Sequence, residues 1–429
     1  MKKGFSAIFT MVLISTFVVV KPSFCKPASN SCVTCHQEIH EKIVADFQED
    51  VHAKAGLSCQ DCHGGDPSIA SEDAMDKSKG FLGTPKAKEI PQFCGKCHSD
   101  PRLMLPFNPS LPTDQVEKYW TSRHGELLKT GDTNVATCVS CHGIHNIFPA
   151  NDARSSVYPK NVPATCSFCH SDNAKMAPYG IPTNQFSQYI DSTNVHGYAL
   201  LEMNDLGAPA CNDCHGNHGA LPPGVAQVGQ VCTQCHSLNG ELFRNSPHKD
   251  GFDALEIPEC LFCHQASPEF DKPFARGHTI VRPTNSLIGT GTNSVCIECH
   301  TEGDPGWVTA VRMSQDMDSL DRRLERVEVI IEKAEQLGME VSDAKWKLKS
   351  EVLQARMELR TSIHSFNLEK FIPFVKRSDT SLDSVEQLGN EAVLETGRRR
   401  TYFIIMTVLL GMVIIGLWLK INQVSKKND

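Results

Sequence analysis

Apolar residues form one uninterrupted block near each end of the chain. Phe5 to Val20 follow Met1 and two lysines, which predicts a secretory signal peptide over residues 1–25. The alternative is an N-terminal anchor that is not cleaved. Thr401 to Leu419 carry no charge and would span about 28.5 Å as a helix, so this block predicts a transmembrane helix.

Between the two blocks, the segment after Trp307 has no cysteine and has apolar residues at spacings of three and four. This pattern predicts an amphipathic helix that Gly338 ends and a second helix that Ser342 caps. Pro373 is expected to break the pattern, and a weaker third helix is expected from about Ser384. The first apolar stripe is Met317, Leu320, Leu324, Val327, Ile331, Ala334 and Leu337. The second is Leu348, Val352, Ala355, Leu359 and Ile363, with Leu353, Met357 and His364 beside it.

These patterns divide the C-terminal part of the chain. We expect a helical stalk over 307–397, built as an antiparallel hairpin or bundle, although a partner-docking module is the alternative. A transmembrane helix with basic flanks over 398–420 and a cytoplasmic tail over 421–429 follow. Lysines in the tail agree with the positive-inside rule, whereas Arg398 to Arg400 on the other side do not.

Residues 26–306 are distinguished by cysteine. Eighteen of the 19 cysteines lie in nine C-x-x-C-H motifs, and the other, Cys25, lies in the predicted signal peptide. The motif cysteines are Cys32, Cys35, Cys59, Cys62, Cys94, Cys97, Cys138, Cys141, Cys166, Cys169, Cys211, Cys214, Cys232, Cys235, Cys260, Cys263, Cys296 and Cys299. The histidines that follow them are His36, His63, His98, His142, His170, His215, His236, His264 and His300.

C-x-x-C-H is the attachment signature of c-type haem. Two thiols three residues apart lie on one side of a helical turn and form thioethers to one porphyrin, and the next histidine lies under the iron. Zinc sites or a disulfide framework would not require a histidine after every second cysteine. The sequence therefore predicts nine covalently attached haem c groups.

Nine further histidines equal the predicted irons in number: His40, His52, His124, His145, His196, His218, His248, His278 and His364. We predict that they are distal iron ligands, the alternative for each being a surface or helix-capping histidine. His52, His124 and His196 are 72 residues apart, and each opens a unit with two motifs. A compressed fourth unit begins at His248. The predicted haem domain is therefore a serial array with one additional haem at its start.

The nine motifs resemble those of multihaem cytochrome c families, in particular cytochrome c3-like and related periplasmic cytochromes, over roughly residues 30–305. The resemblance implies that a histidine upstream of a motif ligates the haem of that motif. By this likeness His52, His124, His196, His248 and His278 would serve haems 2, 4, 6, 8 and 9. His40, His145, His218 and His364 would then be left for haems 1, 3, 5 and 7, in an order that the likeness does not give.

The chain also resembles membrane-anchored quinol-oxidising cytochromes of the NapC/NirT type. Their anchor is N-terminal, whereas the anchor expected here is C-terminal, so the resemblance implies no quinol site at particular residues. A net charge of -8 and a pI near 6.1 give no basic surface for nucleic acid.

About 31 residues per haem leave little protein between the macrocycles, and two imidazoles leave an iron no open position for a substrate. We therefore expect a mainly α protein with much irregular loop: a serial multihaem array, a helical stalk and one transmembrane helix. It would pass electrons between a membrane redox complex and periplasmic electron-transfer proteins, with its haem domain on the periplasmic side of the inner membrane. We predict no catalytic residue.

The sequence leaves two other functions open. The second function is the electron-accepting subunit of a quinol dehydrogenase, which needs a quinone pocket near the membrane. The third function is a multihaem reductase of a small nitrogen or sulfur compound, which needs at least one iron with an open or weak sixth position.

The motif count predicts the mass of the mature protein. Because each motif attaches one haem through two thioethers, the intact mass after export is expected to exceed that of the apoprotein by nine haem masses. Intact-mass spectrometry measures this number. A mass corresponding to eight or fewer haems in fully matured protein would contradict the prediction.

Overall fold

The computed structural model describes residues 30–220, 227–265, 277–282 and 284–428. Within these ranges the chain is mainly helical, with long irregular connections and no β-strand, which confirms the predicted fold class. The chain divides into two compact units between Asn161 and Val162. The predicted signal peptide lies outside the described residues.

The first unit consists of short helices joined by loops. They are α1 (Ser31–Ile39), α2 (Glu41–Glu49), α3 (Val51–Lys54), α4 (Cys59–His63), α5 (Ile90–His98), α6 (Pro101–Met104), α7 (Gln115–Thr121), α8 (Arg123–Lys129) and α9 (Cys138–His142). Short 3₁₀ turns lie at Glu72–Met75, Lys77–Lys79 and Ala87–Glu89. The buried apolar side chains described in this unit are Val44, Ala74, Val116, Tyr119 and Leu128. So small a core is insufficient to stabilise helices of four to nine residues, which are marginal in isolation.

The second unit begins with helices of the same kind and continues into much longer ones. The short helices are α10 (Val162–His170), α11 (Asn173–Met176), α12 (Gln185–Tyr189), α13 (Val195–Leu201), α14 (Cys211–His215), α15 (Gln227–Cys235), α16 (Ser237–Arg244), α17 (His248–Ala254) and α18 (Leu261–His264). The stalk region holds α19 (Pro305–Gln336), α20 (Ser342–Lys347), α21 (Leu353–Ser362) and α22 (Leu368–Asn428). Further 3₁₀ turns lie at Ala177–Tyr179, Asn285–Leu287, Cys296–Glu298 and Ile363–Ser365, and a π-helical turn at Leu348–Val352.

The helices α19, α21 and α22 pack around one apolar core. Their directions follow from polar contacts along the bundle. Arg323 of α19 lies 3.1 Å from Asp379 and 2.8 Å from Glu386 of α22, and also contacts Asp383. Further along, a Cβ built on Gly389 of α22 would touch Ile330 of α19. Because a later residue of α19 contacts a later residue of α22, the two helices run in the same direction.

The helix α21 runs in the opposite direction to α19. Asp321 of α19 accepts hydrogen bonds from Arg356 at 2.8 Å and from Arg360 at 3.4 Å. Nearer the other end of α19, Glu335 contacts Lys345 of α20. The order of these contacts reverses along the second segment, so the three long helices form an up-down-up bundle.

Most of the predicted stalk pattern is confirmed. The first stripe is buried from Met317 to Ala334, while Leu337, the C-terminal cap of α19, is exposed, and Gly338 follows with a φ of 76°. The additional stripe beside the second helix was predicted wrongly: Leu353 and Met357 are exposed. The main stripe continues through the π-helical turn at Leu348–Val352, since Val352, Ala355, Leu359 and Ile363 are buried as predicted.

The prediction at Pro373 was also wrong, because α22 begins at Leu368 and continues through the proline. Only about one turn precedes Pro373, and that turn is held from both sides. The Asn367 carboxamide accepts the N–H groups of Glu369 at 2.8 Å and of Lys370 at 3.3 Å. Phe371 is fully buried in the bundle core. Capping and packing therefore offset the hydrogen bond that proline removes.

The apolar block at the C-terminal end lies within α22. The helix from Leu368 to Val424 contains an 18-residue window with a mean hydropathy of 2.5, and none of that window is buried within the chain. A long apolar helix without protein cover is compatible with a single-pass membrane anchor.

Candidate functional site

Three of the cysteine motifs form five-residue helices of their own, α4, α9 and α14. In each, the residue before the second cysteine closes the N-terminus by accepting an N–H: Asp61 from Ser58 at 2.6 Å, Ser140 from Thr137 at 3.0 Å and Asp213 from Ala210 at 2.8 Å. The residue after each histidine is a glycine with positive φ, and a Cβ at Gly64 would lie 2.1 Å from the carbonyl oxygen of Gly80. These features hold the two cysteines and the histidine on one turn.

The other motifs lie at helix ends. Motifs 1, 3 and 5 lie in α1, α5 and α10, and the last two of these helices end at the motif histidine. In motif 7, α15 ends at Cys235, directly before His236. Motif 8 occupies α18 and its N-terminal cap, whereas motif 9 begins in the 3₁₀ turn Cys296–Glu298.

Within each unit, histidines that are distant in sequence come together in pairs. The ring centroids are 6.0 Å apart for His52 and His98, 6.2 Å for His63 and His145, 6.4 Å for His196 and His236, 5.8 Å for His215 and His278, 5.9 Å for His248 and His300, and 6.1 Å for His264 and His364. Metal–imidazole bonds are about 2 Å long, so two imidazoles on opposite sides of one metal have centroids roughly 6 Å apart. Each pair joins one motif histidine to one of the nine further histidines.

His36 and His40 form a seventh pair, with centroids 5.5 Å apart. Unlike the other six, this pair is four residues apart at the end of one helix, and that spacing brings side chains together with or without a metal. His40 is also exposed. The proximity of these two rings is therefore weaker support for a shared metal.

The thiols of successive motifs are also close to one another. The thiol of Cys94 hydrogen-bonds that of Cys138, Cys166 that of Cys211, and Cys232 that of Cys260. These contacts join motifs 3 and 4, 5 and 6, and 7 and 8. None of the 18 cysteines in the described residues forms a disulfide. Cofactors attached to the cysteines of these consecutive motifs would therefore have neighbouring attachment sites.

Burial keeps several of the paired imidazoles neutral at neutral pH. Burial, reinforced by repulsion from His215, lowers the pKa of His278 to about 4. Burial likewise lowers the pKa of the other half-buried or buried rings: His145, His170, His196, His248, His264 and His364. A neutral imidazole has a nitrogen lone pair, which is what a metal ion binds.

Hydrogen bonds at Nδ1 orient four of the rings. Nδ1 of His52 lies 2.8 Å from Asp50 Oδ1, and Nδ1 of His300 lies 3.1 Å from Asp304 Oδ1. Backbone carbonyl oxygens serve the same purpose for the other two, Gly83 for His63 at 3.1 Å and Thr361 for His364 at 3.0 Å. A proton fixed on Nδ1 leaves Nε2 as the ligating nitrogen.

Parts of the chain are similar to known proteins. Residues 51–171 match the family model described as cytochrome c3. The chain is also 22% identical over 317 residues to the C-type polyheme cytochrome OmcC of Geobacter sulfurreducens. The chain is a multihaem c-type cytochrome. It therefore carries covalently bound haem c. The match to OmcC covers 63% of this cytochrome and 36% of the relative, and no solved structure matches the chain.

The described residues of the cytochrome fit haem. A porphyrin supplies four nitrogen ligands, so an iron within it needs only two from the protein, and the histidines come together in twos. Among the described residues, no cluster of three or more histidine, cysteine or acidic side chains is arranged to hold a metal ion. The buried Nδ1 atoms of His248 and His278 have no hydrogen-bond partner within the described part of the chain.

The pairing differs from the one that the family likeness implied. His52 lies against His98 of motif 3, His196 against His236 of motif 7, His278 against His215 of motif 6 and His248 against His300 of motif 9. In the sequence repeats that begin at His52, His196 and His248, the opening histidine faces the histidine of the second motif in that repeat. The first motif histidine faces one from a later segment: His145 for motif 2, His278 for motif 6 and His364 for motif 8. His40 lies beside motif 1, within the set expected for it.

Four of the histidines keep the role that the sequence predicts for them, and their pairing stays a prediction. His124 lies in α8, and His142 and His170 end α9 and α10. His218 lies in the loop after α14.

Sequence reasoning missed the residues that position the unit-opening histidines. Asp50, Ser122 and Asn194 lie two residues before His52, His124 and His196, and each caps the short helix that carries the histidine. All three are almost completely buried, with exposed fractions of 1%, 1% and 0%. The 72-residue spacing that identified the histidines applies equally to these caps and was the available signal.

His364 tests the pairing most directly, because it lies 64 residues beyond the last motif histidine. If it is the sixth ligand opposite His264, His364→Ala is expected to convert one iron from low spin to high spin and to leave the others unchanged. EPR of the oxidised protein counts the high-spin signal.

Met357→Ala is the matched control. Because Met357 is exposed on the same segment, this substitution is expected to leave every EPR signal unchanged. If His364→Ala also leaves the EPR and visible spectra unchanged, His364 is not a ligand.

Proposed function

We propose that this protein is a membrane-anchored nonahaem cytochrome that carries electrons along closely spaced bis-histidine haems. It would exchange them with a membrane redox partner at one end and extracytoplasmic electron-transfer proteins at the other. The observation that carries the proposal is the set of six histidine pairs with centroids 5.8–6.4 Å apart. The motif cysteines would hold the haems, and each motif histidine would be a proximal ligand.

When bound, haem supplies a one-electron couple at each site. In the six histidine pairs, the two imidazoles would be the protein ligands of one iron, which would leave no position for a substrate. This arrangement favours electron transfer over the alternative of a reductase, which needs an iron with an open position. Contacts between thiols of consecutive motifs in each unit support close spacing of neighbouring sites.

The C-terminal part of α22 would anchor the chain. Arg398 to Arg400 precede the apolar block, and the predicted signal peptide would export everything before them. The haem domain would accordingly lie on the periplasmic side of the inner membrane, and residues 421–429 in the cytoplasm.

The stalk separates the haem sites of the second unit from this anchor. Motif 9 precedes α19, and His364 precedes α22, so these sites lie at the end of the bundle from which both helices start. From Leu368 to Thr401, α22 extends over roughly 50 Å at 1.5 Å per residue. An electron cannot tunnel across tens of ångströms of protein in one step. This spacing disfavours direct oxidation of a membrane quinol by haems 8 or 9, so the proposed membrane partner is a protein that itself extends from the membrane.

Carbon monoxide distinguishes a conduit from a reductase. Because bis-histidine irons have no vacant position, the reduced protein is expected to show no spectral change under CO, and the oxidised protein to be low spin by EPR. His364→Ala of this chain supplies the five-coordinate positive control. A CO-binding, high-spin iron in the unaltered protein that also reduces nitrite or sulfite would contradict the conduit and favour the reductase.

Truncation tests the anchor. A chain ending before Arg398 lacks the apolar block and is expected to be exported as a soluble, red protein, whereas the full chain stays with membranes after a salt wash. Membrane fractionation followed by haem staining measures both. A truncated chain that remains in the membrane would mean that the N-terminal apolar block is an uncleaved anchor or that the proposed topology is wrong.

A further inference from the structure

The carboxylate of Asp50 makes three hydrogen bonds around one histidine pair. Its Oδ1 accepts the backbone N–H of His52 at 2.8 Å and lies 2.8 Å from Nδ1 of the same residue. Its Oδ2 accepts the backbone N–H of Ile147 at 2.7 Å, and the N–H of Val51 donates to the carbonyl oxygen of Ile147 at 2.8 Å. Asp50 therefore fixes the ring of His52 and also the segment that carries His145.

A similar set of hydrogen bonds, in which a capping residue joins the segments of two histidines, recurs in the second unit with asparagine in place of aspartate. We call each such set a clamp. Asn194 accepts the backbone N–H groups of His196 and Gly197, both at 3.1 Å, and donates to the carbonyl oxygen of His278 at 2.5 Å. The N–H of Val195 donates to the carbonyl oxygen of Ile280 at 2.8 Å, as Val51 does to Ile147. Each clamp joins two histidines that face two different motif histidines of the same unit.

The two clamps differ in charge. The hydrogen bonds of Asn194 in the described residues go to backbone groups, whereas Asp50 also contacts an imidazole. The Asp50 side chain is almost completely buried, with 1% of its surface exposed. A buried carboxyl group therefore lies 2.8 Å from Nδ1 of the proposed distal ligand in the first unit, and a neutral amide occupies the equivalent place in the second.

We propose that Asp50 is a positioning residue that lowers the reduction potential of the haem held between His52 and His98, and that the repeated array tunes its haems by the residue at this cap. The inference rests on the proposed bis-histidine ligation. A carboxylate on Nδ1–H makes the imidazole a stronger donor and favours the ferric state. Reduction adds an electron near a buried anion, which costs more where the effective dielectric constant is low.

Asp50→Asn tests the proposal, because asparagine is an equally good N-terminal cap and is the residue found at 194. The potential of one haem is expected to rise, changing its ratio of oxidised to reduced form at a fixed potential about tenfold, or about 59 mV for one electron. Haem content and spin state should not change. Asp50→Ser, which copies Ser122, is the second variant if the first fails to mature. Glu49→Gln removes an exposed neighbouring carboxylate and is expected to leave the reduction potential of every haem unchanged.

EPR-monitored redox titration identifies the affected haem. The ring planes of His52 and His98 are 86° apart and those of His196 and His236 are 29° apart, and perpendicular and parallel axial imidazoles give distinct low-spin signals. The shift is expected in a perpendicular-type signal, a type that His248 and His300, with ring planes 85° apart, would also give.

Two failures are distinguishable. If Asp50→Asn moves no potential although His52→Ala creates a high-spin iron, Asp50 has only a structural role and the tuning proposal is wrong. If His52→Ala leaves every iron low spin, the ligation itself is wrong.

Discussion

The fold of the haem-binding part of this cytochrome depends on histidine pairs drawn from distant segments. The short helices of the first unit bury few apolar side chains, and none of them is long enough to be stable alone. The six pairs join residues that are 40 to 100 positions apart, from His196 with His236 to His264 with His364. Under the proposed ligation, an iron bonded to both members would close a loop of that length, so ligation would take the place that a large hydrophobic core has in an ordinary domain.

How far the sequence could predict this architecture follows from the range of each interaction. The C-x-x-C-H turns are local, and capping by residues such as Asp61, with a glycine after the histidine, produces them wherever the motif occurs. The stalk stripes are also local and were largely correct, because helical periodicity needs no partner to be read. The exception at Pro373 arises from one cap and the burial of Phe371, which leave no clear trace in an apolar pattern.

The pairing of histidines was beyond reach for a different reason. Consecutive motifs lie so close together that a histidine upstream of a unit is near both of its haem sites, and spacing alone cannot choose between them. Which motif the histidine faces depends on backbone hydrogen bonds between segments far apart in sequence, such as those from Val51 to Ile147 and from Val195 to Ile280. Those bonds place the opening histidine toward the second motif and bring the later histidine to the first.

The stalk and the last two haem sites form one structure rather than a spacer joined to an array. Asp304 contacts the ring of His300 and also caps α19 by accepting the N–H of Trp307 at 2.8 Å. A Cβ on Gly306 would lie 2.0 Å from the His300 ring, so the first turn of α19 packs directly on a motif histidine.

The connection before α22 meets both sites as well. It carries His364, and Phe366 packs its ring 4.2 Å from that of His248 while its backbone has a φ of 45°. Such a conformation is unfavourable for a bulky residue and persists only where surrounding contacts hold it, here the aromatic contact beside a distal histidine. The first turn of α19 and the connection before α22 are thus both held by contacts with histidines of the proposed haem sites 8 and 9. Under the proposed anchoring, the bundle would hold those two sites at a defined distance from the membrane, which a flexible linker could not do.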